Sequence, residues 1–287
     1  MSEYRTIDLN AWTLLGEGSK GRTYKNPSEP DQLLKVYKQP LNALESVKRT
    51  FDVSKAVEGL GLQTPKMYEI VRVGDGYATI CQLIKKKRSL ARICCAEFLR
   101  TEEIGQLLCE KGKELFSIPC KTDIFPNRKE QLMSALEKVR FIGKKNRQIL
   151  QAYARTIPDC TTCLHGEFDM GNIIQSEGQL YWIDLDRFGY GDPMFDIGHL
   201  YLICNIYAPR KRIQEIYHMS ENQFHRFWDA FAKAYVGKDD HAAFDHLAGK
   251  FACLDIVLGY EFQKQSLLKK IFCAKHIRRL IKAFYLN

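Results

Sequence analysis

The stretch that decides the fold is Leu164–Gly198, L-H-G-E-F-D-M-G-N-I-I-Q-S-E-G-Q-L-Y-W-I-D-L-D-R-F-G-Y-G-D-P-M-F-D-I-G. Two acidic, glycine-punctuated loops flank a short apolar hairpin expected over Ile173–Gln175 and Leu180–Ile183. The first loop holds His165, Glu167, Asp169 and Asn172; the second holds Asp184, Asp186, Asp192 and Asp196. Carboxylates gathered beside an asparagine are the oxygen ligands a hard cation such as Mg²⁺ takes. Asp and Gly also build solvated turns in any α/β protein, so the acids alone leave both readings open. The upstream sequence decides between them.

There, Thr13–Leu15 runs into Gly16-Glu17-Gly18-Ser19-Lys20-Gly21 and then Arg22-Thr23-Tyr24-Lys25. The same glycine spacing serves dinucleotide-binding folds, but those go from strand to helix. Here the residues after the glycines read as a second strand, ended by the turn cluster Asn26–Asp31. Backbone N–H groups of such a hairpin loop can lie over triphosphate oxygens with no side chain in the way. Lys35 follows inside the apolar run Leu33–Tyr37. An ammonium there either leaves an edge strand for solvent or meets an anion, because burying it unpaired is costly.

Leu44, Val47, Phe51, Ser54 and Val57 recur at helical steps, so a helix is expected over 42–60, stopping at Gly59 or Gly61. Pro65–Val73 and Tyr77–Ile84 read as strands joined at Gly74-Asp75-Gly76. Beyond Lys85-Lys86-Lys87-Arg88 the chain turns mostly helical, with helices expected over 96–116, 128–139, 144–156, 197–207, 221–235, 241–265 and 267–286. The expected organisation is a first lobe over 1–84, a connector at 85–89 and a helical lobe over 90–287.

Composition bounds the classes open to the chain. At 287 residues with 45% hydrophobic and 27% charged residues it is long enough for two cores and is not a disordered type. No apolar run reaches the ~20 residues of a membrane span, and the N-terminus shows no signal-peptide pattern. A net charge of +9 suits a partner carrying phosphate or carboxylate, while no nucleic-acid-binding module is recognisable. The ten cysteines lack framework spacing and read as free thiols in a reducing cytoplasm. Cys160-x-x-Cys163 near His165 has metal-like spacing but no fourth ligand or second knuckle for zinc. The basic last helix, with Lys264, Lys269, Lys270, Lys275, Arg278, Arg279 and Lys282, is expected to pack its apolar residues inward and show its cations to solvent.

Taken in order, the glycine hairpin, strand Lys, helix, connector, His165-Gly166-Glu167 with Asn172, Ile183-Asp184, Gly191-Asp192-Pro193 and Asp196 form a series. That series resembles the aminoglycoside phosphotransferase and choline kinase superfamily, across essentially the whole chain. Its tail G-Y-G-D-P-M-F-D-I-G looks most like a bacterial branch apart from the drug-resistance enzymes. The resemblance implies an α+β, bilobal protein-kinase-like fold: a small antiparallel-sheet lobe with one helix, and a larger helical lobe. It also implies a Mg²⁺-dependent kinase moving the γ-phosphoryl group of ATP or GTP to a hydroxyl of a small molecule. No activation segment long enough to dock a peptide separates Asp184 from Gly191, which argues against a protein kinase.

By the same resemblance, Gly16, Gly18, Ser19, Gly21 and Lys35 would hold the phosphates, and Gln82, Leu83 and Ile84 would meet adenine. Asn172 and Asp184 would bind the metals, with Asp186 a supplementary ligand or a solvent-facing charge. Glu167 stands where the family has its catalytic Asp, with Asp169 two residues on as a substitute. The family's helix Glu that pairs with the strand Lys is missing; register places Thr50 or Asp52 there, Asp52 by a shorter reach. These two departures keep a second function open, a nucleotide-binding pseudokinase with little turnover. Oligomeric state and the acceptor's identity have no sequence signal.

Overall fold

The computed structural model describes residues 4–18, 20–261 and 266–286. The chain divides into two units, Met1–Arg88 with Ile173–Asp186, and Ser89–Asn172 with Arg187–Asn287.

The first unit is built on a five-stranded antiparallel sheet. Its strands are β1 (Thr13–Glu17), β2 (Gly21–Lys25), β3 (Gln32–Tyr37), β4 (Met67–Val73) and β5 (Gly76–Gln82), in the order β1-β2-β3-β5-β4. Alternation sorts the two faces. Leu34, Ala78 and Ile80 turn to a core shared with Ile7 and Val71. Lys35 lies between Thr23 and Thr79 in the ladder. The helix expected from the apolar periodicity is α1 (Leu44–Glu58), with Val47 and Val57 buried.

Between β2 and β1 the glycines divide by purpose. A Cβ on Gly21 would stand 2.1 Å from the Val36 carbonyl oxygen, so the β2–β3 approach demands glycine. Around Gly16 nothing lies within 4 Å of such a Cβ. Packing does not require that glycine.

The hairpin β8 (Ile173–Ser176) with β9 (Gln179–Trp182) groups with the sheet unit although it lies far along the chain. Its ties are specific. Ile174 and Tyr181 pack with Ile84, the Trp182 N–H donates to Gln63 O (2.8 Å), and the Ser176 hydroxyl donates to Lys85 O (2.7 Å).

Ahead of that hairpin run β6 (Arg88–Ser89), α2 (Leu90–Ala96), α3 (Thr101–Phe116), α4 (Arg128–Lys138), α5 (Lys144–Thr156) and β7 (Cys163–Leu164). After it come β10 (Gly189–Tyr190), α6 (Met194–Tyr201), α7 (Lys211–Tyr217), α8 (Glu221–Val236), α9 (Ala242–Glu261) and α10 (Leu267–Phe284). In the second unit β7 and β10 pair antiparallel, joining the strand at the start of the first acidic loop to the middle of the second, between Asp186 and Asp192. Close packing holds the helices. A Cβ on Gly105 of α3 would lie 2.6 Å from Phe227 O of α8. Phe168, Phe224, Phe227 and Phe231 are fully buried. Ser220 and Gln223 form a reciprocal capping box at the start of α8.

The structure departs from the expected helices in several places. The helix expected over 96–116 starts only at Thr101: Ala96 instead ends α2, which was not expected, Glu97 leaves helical geometry (φ −129°, ψ 67°), and a short turn, Phe98–Arg100, precedes α3. Arg100 bridges Glu97 and Glu103 (2.9 and 2.7 Å) across that break. α6 begins earlier than expected and widens into a π-helical stretch, Leu202–Tyr207. α7 was not expected at all. In α10, Ile277 and Leu280 are buried as expected, but Leu267, Leu268 and Ile271 are 73%, 80% and 59% exposed; burial in this helix begins at Cys273. The expected end of the 241–265 helix and Lys264 lie outside the described residues.

The closest test of this packing is Gly198 of α6, where an added Cβ would fall 2.4 Å from Phe251 Cβ and 2.7 Å from the Phe251 carbonyl carbon. Backbone cannot yield as a flexible side chain does. Gly198→Ala is expected to cost about 3 kcal/mol, read as a clear drop in melting temperature by calorimetry.

Candidate active site

In the first unit, two carboxylates converge on one ammonium. Lys20, within the glycine loop, places Nζ 2.5 Å from Asp184 Oδ1 and 2.7 Å from Asp186 Oδ2. Asp184 follows β9 in a left-handed conformation (φ 62°), which costs energy for any residue with a Cβ and recurs at functional sites. Asp186 belongs to the single-turn helix Leu185–Arg187. Burial alone would push the Asp186 carboxyl up, but Lys20, then Lys35 and the Thr50 hydroxyl, hold it below the usual carboxylate range. The same two acids raise the Lys20 ammonium despite its burial, so it stays charged.

Around this trio the loop is closely tied. Gly18 N–H donates to Gly21 O (2.8 Å), Lys38 Nζ to Gly18 O (3.1 Å), and Glu17 pairs with Lys38 and Arg22 (2.7 and 3.0 Å). Ser19 lies outside the described residues. Lys35 Nζ sits over the Tyr37 ring (5.3 Å to its centroid), and the Tyr37 hydroxyl meets Thr79 Oγ1 at 3.0 Å. Asp52 is exposed on α1, and among the described residues neither it nor Lys35 forms a salt bridge. Of the two residues nominated at that register, Thr50 is the one that reaches the acidic site. In the connector, Gln82 N–H donates to Lys66 O (2.8 Å) and Leu83 N–H to Asp31 O (2.7 Å), while Ile84 packs in the hairpin cluster.

In the second unit the first acidic loop is pinned from below. Buried Asp196, on α6, accepts the His165 and Gly166 N–H groups at 2.6 and 2.8 Å. Burial pushes its carboxyl up to about 6, against those donors and Arg128. His165 is buried and its Nδ1 accepts the Glu167 N–H (3.3 Å), a supporting position. Asp192 accepts the Met194 N–H (2.8 Å) in the first turn of α6.

Glu167 keeps its side chain 28% exposed, with Oε1 3.2 Å from Arg187 Nη1. Asn172 donates its amide to Glu167 O (2.7 Å). Asp169 is only 4% exposed, and its carboxylate accepts from Gly171 N–H (2.6 Å) and the Tyr217 hydroxyl (2.7 Å). His199 Nε2 lies 3.5 Å from Asp169, and its Nδ1 lies 2.8 Å from Asp255. Glu167 and Asp169, two residues apart and both nominated, therefore have different surroundings: one half-open, one inside a hydrogen-bonded network.

Lys20 and Arg187 thus join the candidate residues. The sequence carried a weak signal for both, a Lys inside the glycine loop and an Arg next to Asp186. Tyr217 had none, since nothing local links α7 to residue 169. Among the described residues no three His, Cys, Asp or Glu side chains gather as a metal-ligand set; the acids of the first unit form a pair.

A model of the phosphotransferase enzyme family matches residues 11–228. The chain belongs to that family. It is a kinase, a transferase of phosphoryl groups to an alcohol. No curated protein gives a significant sequence match. Among solved structures, APH(2″)-IIa in its streptomycin–ATP ternary complex is similar at a TM-score of 0.60 and 17% identity, over 94% of this chain and 90% of that one. A thermostable mutant of aminoglycoside phosphotransferase APH(4)-Ia with ADP and hygromycin B gives 0.61 and 11%, over 95% and 93%. A choline/ethanolamine kinase family protein from Mesorhizobium loti gives 0.53 and 12%, over 96% and 88%. At these identities the likeness is one of fold. It establishes the α+β, protein-kinase-like class, a sheet unit and a mainly helical one.

The His199 network makes a pH prediction. Burial opposes the charged imidazolium, but Asp255 and then Asp169 outweigh it and push His199 from 6.5 up to about 10. A raised histidine adds stability that is full below its ordinary value and fades as pH climbs through the folded one. The stability His199 provides is therefore expected to fall between pH 6.5 and 10. His199→Gln, which strands Asp255, is expected to cost about 3–5 kcal/mol at neutral pH, with the gap to wild type closing toward alkaline pH in denaturant titrations.

Proposed function

We propose that the protein transfers the γ-phosphoryl group of ATP or GTP, with Mg²⁺, to a hydroxyl of a small molecule. The observation that carries this reading is the convergence of Asp184 and Asp186 on a single cationic atom, Lys20 Nζ, at 2.5 and 2.7 Å. Two carboxylates aimed at one positive centre suit Mg²⁺, which takes one or two protein carboxylates and completes its octahedron with water and phosphate oxygens. When bound, the ion would neutralise charge building on the phosphoryl oxygens. Asp184 and Asp186 would hold it, and the family resemblance implies Asn172 as a further ligand.

The chain's own residues supply the rest. Gly16 has open space around it, so phosphate oxygens can approach the loop backbone with no side chain in the way, while Gly18 shapes the loop through its N–H to Gly21 O (2.8 Å). Ser19 belongs to the same loop, and Gly21 sets its exit by packing on β3. Lys35 gives a charge to the α- and β-phosphates. Lys20, released from its acids when a metal takes them, gives a second. The connector Gln82–Ile84 meets the base, and Thr50 and Asp52 on α1 flank the phosphate side.

Glu167 orients the acceptor hydroxyl and takes its proton. Its partner Arg187, 3.2 Å from Oε1, holds the carboxylate in place, which compensates in positioning for the extra methylene. Asp169, engaged by Gly171, Tyr217 and His199, serves as the loop's internal support. The acceptor is a small molecule in this reading, as in the neighbours solved with streptomycin or hygromycin B.

The reading is tested with purified full-length protein, ATP or GTP, Mg²⁺ and a metabolite extract as acceptor pool. Nucleotide plus Mg²⁺ should raise the melting temperature, and labelled phosphate should appear in a small-molecule product. Asp184→Ala is expected to remove both effects. Glu167→Gln is expected to keep nucleotide binding and to lower turnover by roughly 10²–10⁴-fold. Lys20→Met should weaken nucleotide binding by about tenfold, the worth of one charge-assisted contact. Absence of both stabilisation and transfer would overturn the proposal.

A further inference from the structure

The second unit contains a cavity of about 410 Å³ between the end of α4, the last turn of α9 and the start of α10. Its volume is within the range of small-molecule sites. Among the described residues that line it, the charged side chains are all cations: Lys138 at the end of α4, Arg140 just after it, and Lys270 on α10. Among the described residues Arg140 and Lys270 make no salt bridge. The rest of the wall is apolar and flat. Phe141 and Tyr260 bring their rings to 4.5 Å between centroids, and Val139 is buried beside them.

One further feature sits in this wall. Tyr260 is 5% exposed, and its buried hydroxyl has no hydrogen-bond partner among the described residues. A buried polar group left without a partner costs roughly 1–3 kcal/mol, and one in a native wall calls for a water or a ligand. Gly259, the preceding residue on α9, faces the other way along the chemistry: a Cβ there would lie 3.9 Å from Arg187 Nη2, and Arg187 holds Glu167.

We propose that this cavity binds a small organic anion with a flat, apolar body, such as an aromatic carboxylate or an aryl phosphate. The ring would lie against Phe141 and Tyr260 while the acid group meets Arg140 and Lys270, with Lys138 adding to the field. Arg and Lys concentrated at one concave spot attract anions and repel cations over the range of a Debye length. A polycation of the aminoglycoside type would meet like charges at Arg140 and Lys270. This inference stands apart from the nucleotide reading, since no residue of the cavity belongs to the metal or phosphate set.

The test compares three probes that share a phenol ring and differ in charge: 4-hydroxybenzoate, phenol and tyramine. Binding to the full-length protein is measured by isothermal titration calorimetry, with and without Mg²⁺ and a non-hydrolysable ATP analogue. The expected result is saturable binding of 4-hydroxybenzoate about tenfold tighter than phenol or tyramine, one charge-assisted contact. Arg140→Ala and Lys270→Ala, both on solvent-accessible side chains and checked by melting temperature, should each remove most of that preference. Tyr260→Phe, which removes the unpartnered hydroxyl, should keep or raise stability and change affinity less than either. Equal or tighter binding of tyramine, absence of saturable 4-hydroxybenzoate binding at millimolar concentration, or a preference that survives the Arg140→Ala/Lys270→Ala double variant would each overturn the proposal. Because binding is read without turnover, a failure here leaves the phosphotransferase reading untouched, and the reverse holds.

Discussion

A single buried carboxylate sets the geometry of the second unit's loop. Asp196 takes the N–H groups of His165 and Gly166 at 2.6 and 2.8 Å, and it does so fully enclosed, where an unmet acceptor would be expensive. Gly166, at φ 84°, is squeezed so that a Cβ would collide with Arg187 O and the Arg128 guanidinium. Arg128, itself 3% exposed, donates to Arg187 O and to Gln131 (2.9 Å). One carboxylate, one glycine and one guanidinium thereby bind the start of the first acidic loop to Arg187 within the second. Glu167 takes its place from that arrangement, because the Arg it pairs with is held by its own carbonyl from the other side.

The first unit solves a different problem, that of holding acids close together. Asp184 and Asp186 would repel each other across the turn they share, and a buried Asp186 would lean toward its neutral form. Lys20 removes the repulsion by sitting between them. The glycine loop is therefore coupled to the acids through its one Lys. Coupling of this kind is consistent with a loop whose position depends on what occupies the acidic turn. The hairpin β8–β9 contributes by being anchored at both ends to the sheet unit, through Gln63 and Lys85.

Much of this was legible in the residues. Strand alternation at Leu34, Ala78 and Ile80, the helical period of Val47 and Val57, and the strand–turn–strand order around Gly16–Gly21 are local patterns, and local patterns survive into the fold. The acidic loops and their order were equally plain. Less legible were the break at Glu97, where Arg100 holds a short turn in an otherwise helical run, and the exposed first turn of α10, where apolar residues do not mean burial. The pairing of Lys35 with an acid on α1 also had no local answer: the structure turns Thr50 toward Asp186 and leaves Asp52 exposed.

By itself the sequence determined the family and the cast of groups, because a phosphotransferase needs backbone N–H groups, cations and carboxylates in a set chain order, and order is written in one dimension. Tertiary structure alone decided how those groups are engaged. Glu167 and Asp169 are two residues apart and chemically alike, yet one faces Arg187 half-open and the other is enclosed by Tyr217 and His199. Lys20 and Asp184 are 164 positions apart and meet at 2.5 Å. Charge state, burial and pairing depend on neighbours brought together by packing, and no spacing along the chain encodes them.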